Sequence, residues 1–422
     1  MTVHTSLRRS LSRKASLMLA SLIMLTGTAQ AQLGERMVDV VGRRLHAISM
    51  GQGESTVVFE AGFSMDLSSW RKLVPLLAPE AKLLVYSRAG HGQSDPMQQP
   101  PSLARAGADL QAVLADAGLK PPYLLVGHSY GALLIRDFAA RHPEQIAGLV
   151  FVDPAHEKLD LSLRQIDAAR LQAEREDLAR RAPPAFRADL ALINTLMDAG
   201  QLPEPRQLPD VPTAVLSSTK RYAQPQVLLH TPAGMQTWRR LHSEFAAQFS
   251  NSLHITTSNS GHFIQNDEPA LLADAIRQVA KMAAEQARVK ARQQALQALN
   301  SSLQAIAALP ADAQAEREAR TLSALQASAL GEADINEIAY RLLGAQQPTL
   351  AASLLRWNVQ AYPQSDNAAD SLGEALLTLG QPAQAEAQFQ RALELAAINK
   401  RNPRVTAGYQ QHLDAARAAL KR

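Results

Sequence analysis

Five residues, Gly127-His128-Ser129-Tyr130-Gly131, constrain this chain more than any other stretch. Before them, Tyr123-Leu124-Leu125-Val126 is a short apolar run bounded by Pro122 and Gly127, which reads as a buried strand. After them, residues 132–140 place apolar side chains at helical spacing until His142-Pro143 ends the helix. A Gly-x-Ser-x-Gly between strand and helix demands a sharp turn, with its central residue in a strained backbone conformation. The small flanking residues let strand and helix pack closely. Ser129 then projects above the sheet at a helix N-terminus, where backbone amides can stabilise an oxyanion. The plainer reading is a glycine-rich turn with an incidental serine, and the flanking elements argue against it.

Strands and helices alternate around this turn. Residues 37–41 and 45–50 flank Gly42-Arg43-Arg44 as a hairpin, and residues 56–60 form the next strand. Residues 67–77 follow as a helix that Asp66 can cap, then a strand at 82–86 and a helix at 103–117. A strand at 146–152 ends in Asp153-Pro154. Such alternation implies an α/β domain with a mostly parallel sheet, whose ligands bind beyond the carboxyl ends of the strands. The pattern breaks at residues 155–209, rich in Ala, Leu, Arg, Asp and Glu and interrupted by Pro183-Pro184, which reads as two or three helices forming a cap. It resumes with a strand at 213–216, a helix around 234–249, a strand near 253–257 and a helix from Glu268-Pro269.

At 422 residues the chain needs more than one domain, and 46% hydrophobic with 19% charged residues makes it globular. Residues 1–31 read as a cleavable signal peptide. Arg8, Arg9, Arg13 and Lys14 are its basic region, residues 15–25 its apolar region, and Ala29-Gln30-Ala31 its cleavage site. The apolar region is too short to serve as a stable membrane anchor. The segment carries four basic and no acidic residues, so its removal takes the net charge from +4 to zero. Nothing in that balance recommends a nucleic-acid partner. The absence of cysteine excludes disulfides, a cysteine nucleophile and cysteine-held metal. Together these features point to a periplasmic or secreted protein that needs no cofactor.

Residues 286–332 are Ala/Gln/Arg-rich and read as a helical connector after a first domain at 32–285. Residues 333–422 resemble tetratricopeptide repeats. Leu372, Gly373, Leu376, Ala385, Phe389 and Ala392 fall near the small and large positions of one unit. Ile338, Ala339, Leu342, Ala351 and Leu355 occupy the same places thirty-four residues earlier. Asn358 stands where Ala392 would be expected, so the first unit is degenerate; a generic helical hairpin is the alternative. Such repeats offer a surface for a protein partner.

A serine hydroxyl needs a base, and the base needs an orienting group. His262 follows the last strand in Ser260-Gly261-His262-Phe263 and fits the order Ser, then acid, then His. His128 neighbours the nucleophile but points elsewhere, and His91 shapes a glycine-rich loop. His46, His230, His242 and His254 lie in or beside secondary structure. Asp153 directly follows a strand on the required edge, whereas Asp210 precedes one and lies at the wrong end.

Residues 36–285 resemble an α/β-hydrolase of the esterase/lipase type. The matching stretches are Phe59-Glu60-Ala61-Gly62-Phe63, Arg88-Ala89-Gly90-His91-Gly92-Gln93-Ser94, Gly127-His128-Ser129-Tyr130-Gly131 and Gly261-His262. The resemblance implies a capped serine hydrolase with an oxyanion hole made by the Phe63 and Tyr130 amides. Ala61-Gly62 stands where that family often has His-Gly. The family usually carries its acid after the strand that follows the cap. Here that place reads Ser217-Ser218-Thr219-Lys220-Arg221, and Asp153 occupies a position used by some lipase-like members.

The expectation is an exported enzyme in which Ser129 attacks a small or medium hydrophobic ester, His262 moves the proton and Asp153 orients the imidazole. Amide, thioester and carbon–carbon cleavage by the same residues stay open. So does a binding scaffold whose repeats recruit a partner while the first domain is inert.

Overall fold

The computed structural model describes residues 34–204 and 206–422. The signal-peptide reading falls on residues outside these. The chain divides into two compact units between Ala284 and Glu285.

The first unit is built on one eight-stranded sheet, in the order β1-β2-β4-β3-β5-β6-β7-β8. The strands are β1 (Gly34–Val40), β2 (Arg43–Gly51), β3 (Thr56–Glu60), β4 (Lys82–Tyr86), β5 (Tyr123–His128), β6 (Ile146–Val152), β7 (Thr213–Ser218) and β8 (Ser252–Thr257). β2 pairs antiparallel with both β1 and β4, and every pairing from β4 to β8 is parallel. The apolar runs are continuous because both faces are covered. Leu125, Leu149, Phe151 and Val215 enter one core with Leu110, Ile135 and Phe138. Their neighbours Leu124, Val126, Val150 and Leu216 enter the other with Trp70, Leu73, Leu272 and Val279.

The helices of this unit are α1 (Val74–Leu77), α2 (Leu103–Asp116), α3 (Tyr130–Arg141), α4 (Leu159–Arg181), α5 (Arg187–Ala199), α6 (Pro232–Ala246) and α7 (Ile264–Asp267). One expectation needs correcting. Residues 67–77 are not a single helix but a 3-10 turn, Leu67–Trp70, followed by α1. Pro75 has no amide hydrogen to donate into the preceding turn, so a continuous helix cannot form. Asp66 does cap the 3-10 turn, accepting the Ser68 amide at 2.9 Å.

The cap consists of α4 and α5, parted at Pro183-Pro184 by a short 3-10 turn. Its Leu159, Leu163, Leu171, Leu196 and Met197 pack with Leu133 and Leu134 of α3 and with Trp238 and Leu241 of α6. α4 is kinked at Asp167, whose φ of −158° lies outside the helical range.

The second unit is all helical. The division falls inside α8 (Pro269–Ala307), and α9 (Ala311–Leu325), α10 (Glu332–Gly344), α11 (Pro348–Ala361), α12 (Asp366–Thr378), α13 (Pro382–Ile398) and α14 (Pro403–Leu420) follow. α12 and α13 begin thirty-four residues after α10 and α11. Gly373 is required by packing, since a Cβ there would lie 2.4 Å from the Phe389 ring. Asn358 is buried, and its amide nitrogen donates to Asn336 Oδ1 at 2.8 Å.

Candidate active site

The parallel strands deliver the ends of β3 to β8 to one edge of the sheet, and the candidate residues meet there. Ser129 sits between β5 and α3 with φ 51° and ψ −119°, a conformation L-residues rarely adopt. The glycines on either side are needed for space. A Cβ on Gly131 would lie 2.3 Å from the Glu60 carbonyl oxygen, and one on Gly127 would lie 2.8 Å from Ile135. The Ser129 amide donates to the Val152 carbonyl at 3.1 Å, tying the turn to the neighbouring strand.

His262 Nε2 lies 2.8 Å from Ser129 Oγ, and His262 Nδ1 lies 2.7 Å from Asp153 Oδ2. Asp153 is buried and also stands at positive φ, 40°. Its other oxygen, Oδ1, accepts the Ser218 amide and the Trp238 Nε1–H, each at 2.9 Å. Burial alone would raise the Asp153 pKa. The His262 hydrogen bond and charge, His242 and the Ser218 amide outweigh it, and Asp153 lies below the usual carboxylate range. An ionised Asp153 accepts only, so His262 carries its proton on Nδ1 and presents a bare Nε2 to the Ser129 hydroxyl. The His262 side chain is 38% exposed, so a ligand can reach it.

The loop after β3 carries Phe63. Among the described residues neither the Phe63 nor the Tyr130 amide has an acceptor. This loop is held from below by Arg88, buried with Glu60 and Tyr86. Arg88 donates to Glu60 Oε1, to the Ala61 carbonyl and to the Gly62 carbonyl, each at 2.6 Å. The Tyr86 hydroxyl donates to the other Glu60 oxygen. The Arg88 guanidinium also lies 5.4 Å from the centre of the Tyr130 ring.

The other histidines are engaged elsewhere. His128 is buried and donates from Nε2 to the His262 carbonyl at 2.8 Å. His242 binds the Ser217 hydroxyl and the Pro154 carbonyl, His254 the same hydroxyl, and His46 Glu35. His91 is bonded to the Ala89 carbonyl and packs on Phe186 of the cap. His230 stacks on Tyr222 at 3.8 Å. Glu157, four residues beyond Asp153, is held by both outer nitrogens of Arg136 at 2.6 and 3.0 Å. Asp210, on the opposite edge, accepts from Ser250.

Sequence reasoning missed the groups that position these residues: Trp238 and Ser218 on Asp153, His128 on the His262 loop, and Arg88 under the Phe63 loop. None has a local signature, because each partner is distant in the chain. In the second unit Asp370, Glu374 and His412 bring possible metal ligands within 4.8 Å of one another. His412 already bonds both carboxylates, at 2.9 and 3.1 Å, which satisfies the group without an ion.

Residues 55–191 match the family model for the alpha/beta hydrolase fold, and the eight-stranded, mostly parallel sheet agrees with it. The fold is the α/β-hydrolase fold. The chain is 29% identical over 238 residues to the uncharacterized protein YqjL of Bacillus subtilis (strain 168), covering 56% of this chain and 88% of that one. It is 24% identical over 279 residues to a haloalkane dehalogenase of Sphingobium indicum (strain DSM 16412), covering 57% and 93%. A thermophilic esterase from Thermogutta terrifontis superposes with a TM-score of 0.40 at 19% identity, covering 60% of this chain and 99% of that one. The likeness of this chain to its sequence relatives, on the α/β-hydrolase fold, supports a hydrolase, and so an enzyme.

Proposed function

We propose that the protein is a serine hydrolase that cleaves a carboxylic ester of a small or medium hydrophobic substrate through an acyl-enzyme. The observation that carries this reading is the placement of His262 between Ser129 Oγ and Asp153, within hydrogen-bond distance of both. Ser129 Oγ attacks the ester carbonyl carbon while its proton passes to His262 Nε2. The negative oxygen formed faces the Phe63 and Tyr130 amides, and Asp153 stabilises the imidazolium. Collapse breaks the bond to the alcohol oxygen, which takes the proton from His262. Water then attacks the acyl carbon, gives its proton to His262 and releases the acid as the proton returns to Ser129.

A carboxylate nucleophile is disfavoured, since the residue at the strand-to-helix turn is Ser129. Amide, thioester or carbon–carbon cleavage would use the same residues. The competing reading is a scaffold with an inert first unit, and the two amides without acceptors beside an assembled Ser–His–Asp line argue against it. We further propose that the protein acts in the periplasm or is secreted, on the basis of residues 1–31. The second unit is read as tetratricopeptide-like, with a face for a protein partner, on the thirty-four-residue spacing of its helices.

The test is hydrolysis of short p-nitrophenyl esters by the wild type and by Ser129→Ala. The reading expects turnover that falls on the order of a million-fold in the variant. No hydrolysis by the folded wild type, or equal hydrolysis by both, would reject it.

A further inference from the structure

Beyond β7 the chain reads Thr219-Lys220-Arg221-Tyr222, and α6 begins soon after, its Gly234 amide capped by the Thr231 hydroxyl. Gln236, Arg239 and Arg240, and Ser243 recur at three- and four-residue steps, so they share one outer stripe of α6. On β8, the edge strand of the sheet, His254 and Thr256 alternate onto the same side. Between this stripe, the strand and the 219–222 loop lies a groove of about 810 Å³.

Its lining includes Lys220, Arg221, Arg239 and Arg240, and no Asp or Glu. Glu244 answers Arg240 at 2.9 Å. Lys220, Arg221 and Arg239 have no carboxylate partner among the described residues. His230 and His254 also line the groove, and burial is the first cause that holds both below their ordinary range. They add no charge at neutral pH, so the field comes from three uncompensated cations in a concavity, which concentrates it.

Two residues of the groove, Lys220 and Tyr222, approach the loop that carries His262. The Tyr222 hydroxyl would lie 3.3 Å, and the Lys220 Cδ 3.9 Å, from a Cβ built on Gly261, the residue before His262. Tyr222 is fixed there by its flat stack on His230, with 10° between the rings. The acids that follow His262 on its loop are occupied. Glu268 is bonded to Ser260 and Thr257, and Asp267 accepts the Gly261 amide at 3.4 Å.

We propose that this groove takes an anionic end of the substrate, a carboxylate or phosphate carried beyond the scissile ester, and so sets specificity. The proposal rests on the ester-hydrolase reading for its chemistry. The size favours a small molecule over a polyanion, because such volumes are those of small-molecule sites. The cations also converge on one cavity rather than forming a long stripe. Arg is suited to hold either anion through paired donors.

The experiment has two arms, both on the full chain. Calorimetry measures binding of glutarate and of phenyl phosphate to the wild type, to Ser129→Ala, and to Arg239→Gln and Lys220→Gln. One site per chain is expected, unaffected by Ser129→Ala, weaker as salt rises, and weakened about tenfold by each groove variant. The stronger of the two ligands identifies the anion. Kinetics compare p-nitrophenyl butyrate with the p-nitrophenyl monoester of glutaric acid; the preference for the anionic ester should fall about tenfold in the same variants.

Neutral-ester turnover without anion binding would overturn the groove proposal alone. Anion binding in a chain that hydrolyses neither ester would overturn the ester reading alone. Binding that ignores Arg239 and Lys220, or that appears only with a long polyanion such as heparin, would also overturn the groove proposal.

Discussion

His128 and His262 are joined by a hydrogen bond from the ring of the first to the main-chain carbonyl of the second, 2.8 Å long. Their rings stand 4.7 Å apart. The residue before the nucleophile thus holds the loop that carries the base. Burial, and then the His262 charge, push His128 down to about 3, so it remains a neutral donor at any pH where the enzyme would work. His128→Phe fills the space but removes the donor. Turnover should fall roughly ten- to a hundredfold with little change in KM, the cost of losing one or two units of well-placed hydrogen bonding. An unchanged kcat would show that the loop holds itself.

Asp153→Asn should keep the shape and lose the charge, lowering turnover about ten-thousand-fold. Trp238→Phe removes one of the two donors on Oδ1 and should lower kcat by about tenfold. Glu157→Gln should leave kcat within about threefold but destabilise the fold, because it weakens the pairing of the half-buried Arg136. Steady-state kinetics with melting curves separate these effects. A collapse of kcat in Glu157→Gln, with Asp153→Asn near normal, would reassign the acid.

Arg88→Lys tests the support beneath the Phe63 loop. Lysine keeps the charge beside Glu60 but cannot reproduce the fork that reaches the Ala61 and Gly62 carbonyls. A loss of about tenfold or more in kcat is expected, with probe-ester KM little changed. Full activity with reduced stability would make Arg88 purely structural.

Acid should weaken the fold early. Burial holds His91, His156 and His242 down to about 4, and His128 lower still. All lie below the ordinary histidine value, so between about pH 6.5 and 4 the unfolded chain binds more protons than the folded one. The stability linked to these neutral rings is complete above that window and is lost as pH falls through it. Each ring contributes up to about 1.4 kcal/mol per pH unit. Urea midpoints at pH 7.5, 5.5 and 4.5 should therefore drop steadily, and a flat profile down to pH 4.5 would count against buried neutral histidines.

Truncation after Gln286 should leave a folded, active first unit. The last residues of α8 that enter its core are Val279 and, partly buried, Ala280. Ester turnover and melting of the shortened chain check this, and an insoluble or inactive product would mean that the helical unit completes the core or the site.

The architecture was legible where local chemistry dictates it. The runs at 83–86 and 146–152 are apolar because both faces of the sheet are covered, and Gly127 and Gly131 are forced by contacts within a few ångströms. Ser129 and Asp153 were legible because each ends a strand on the same edge. The break at Pro75 was overlooked although proline announces it. The anchors of the site were not legible: Trp238 meets Asp153 across 85 positions and His128 meets His262 across 134. No periodicity encodes pairings of that range. The groove cations were equally hidden, since Lys220 and Arg239 come together only when β7, β8 and α6 pack.

The central claim is that Ser129 is an activated nucleophile, and the most direct measurement is intact-mass and peptide mapping after a fluorophosphonate probe. The account predicts one covalent adduct per chain, on Ser129, formed quickly at pH 8, slowed in Asp153→Asn and absent in Ser129→Ala. A folded wild-type chain that gains no adduct, or gains it on another residue, would contradict it.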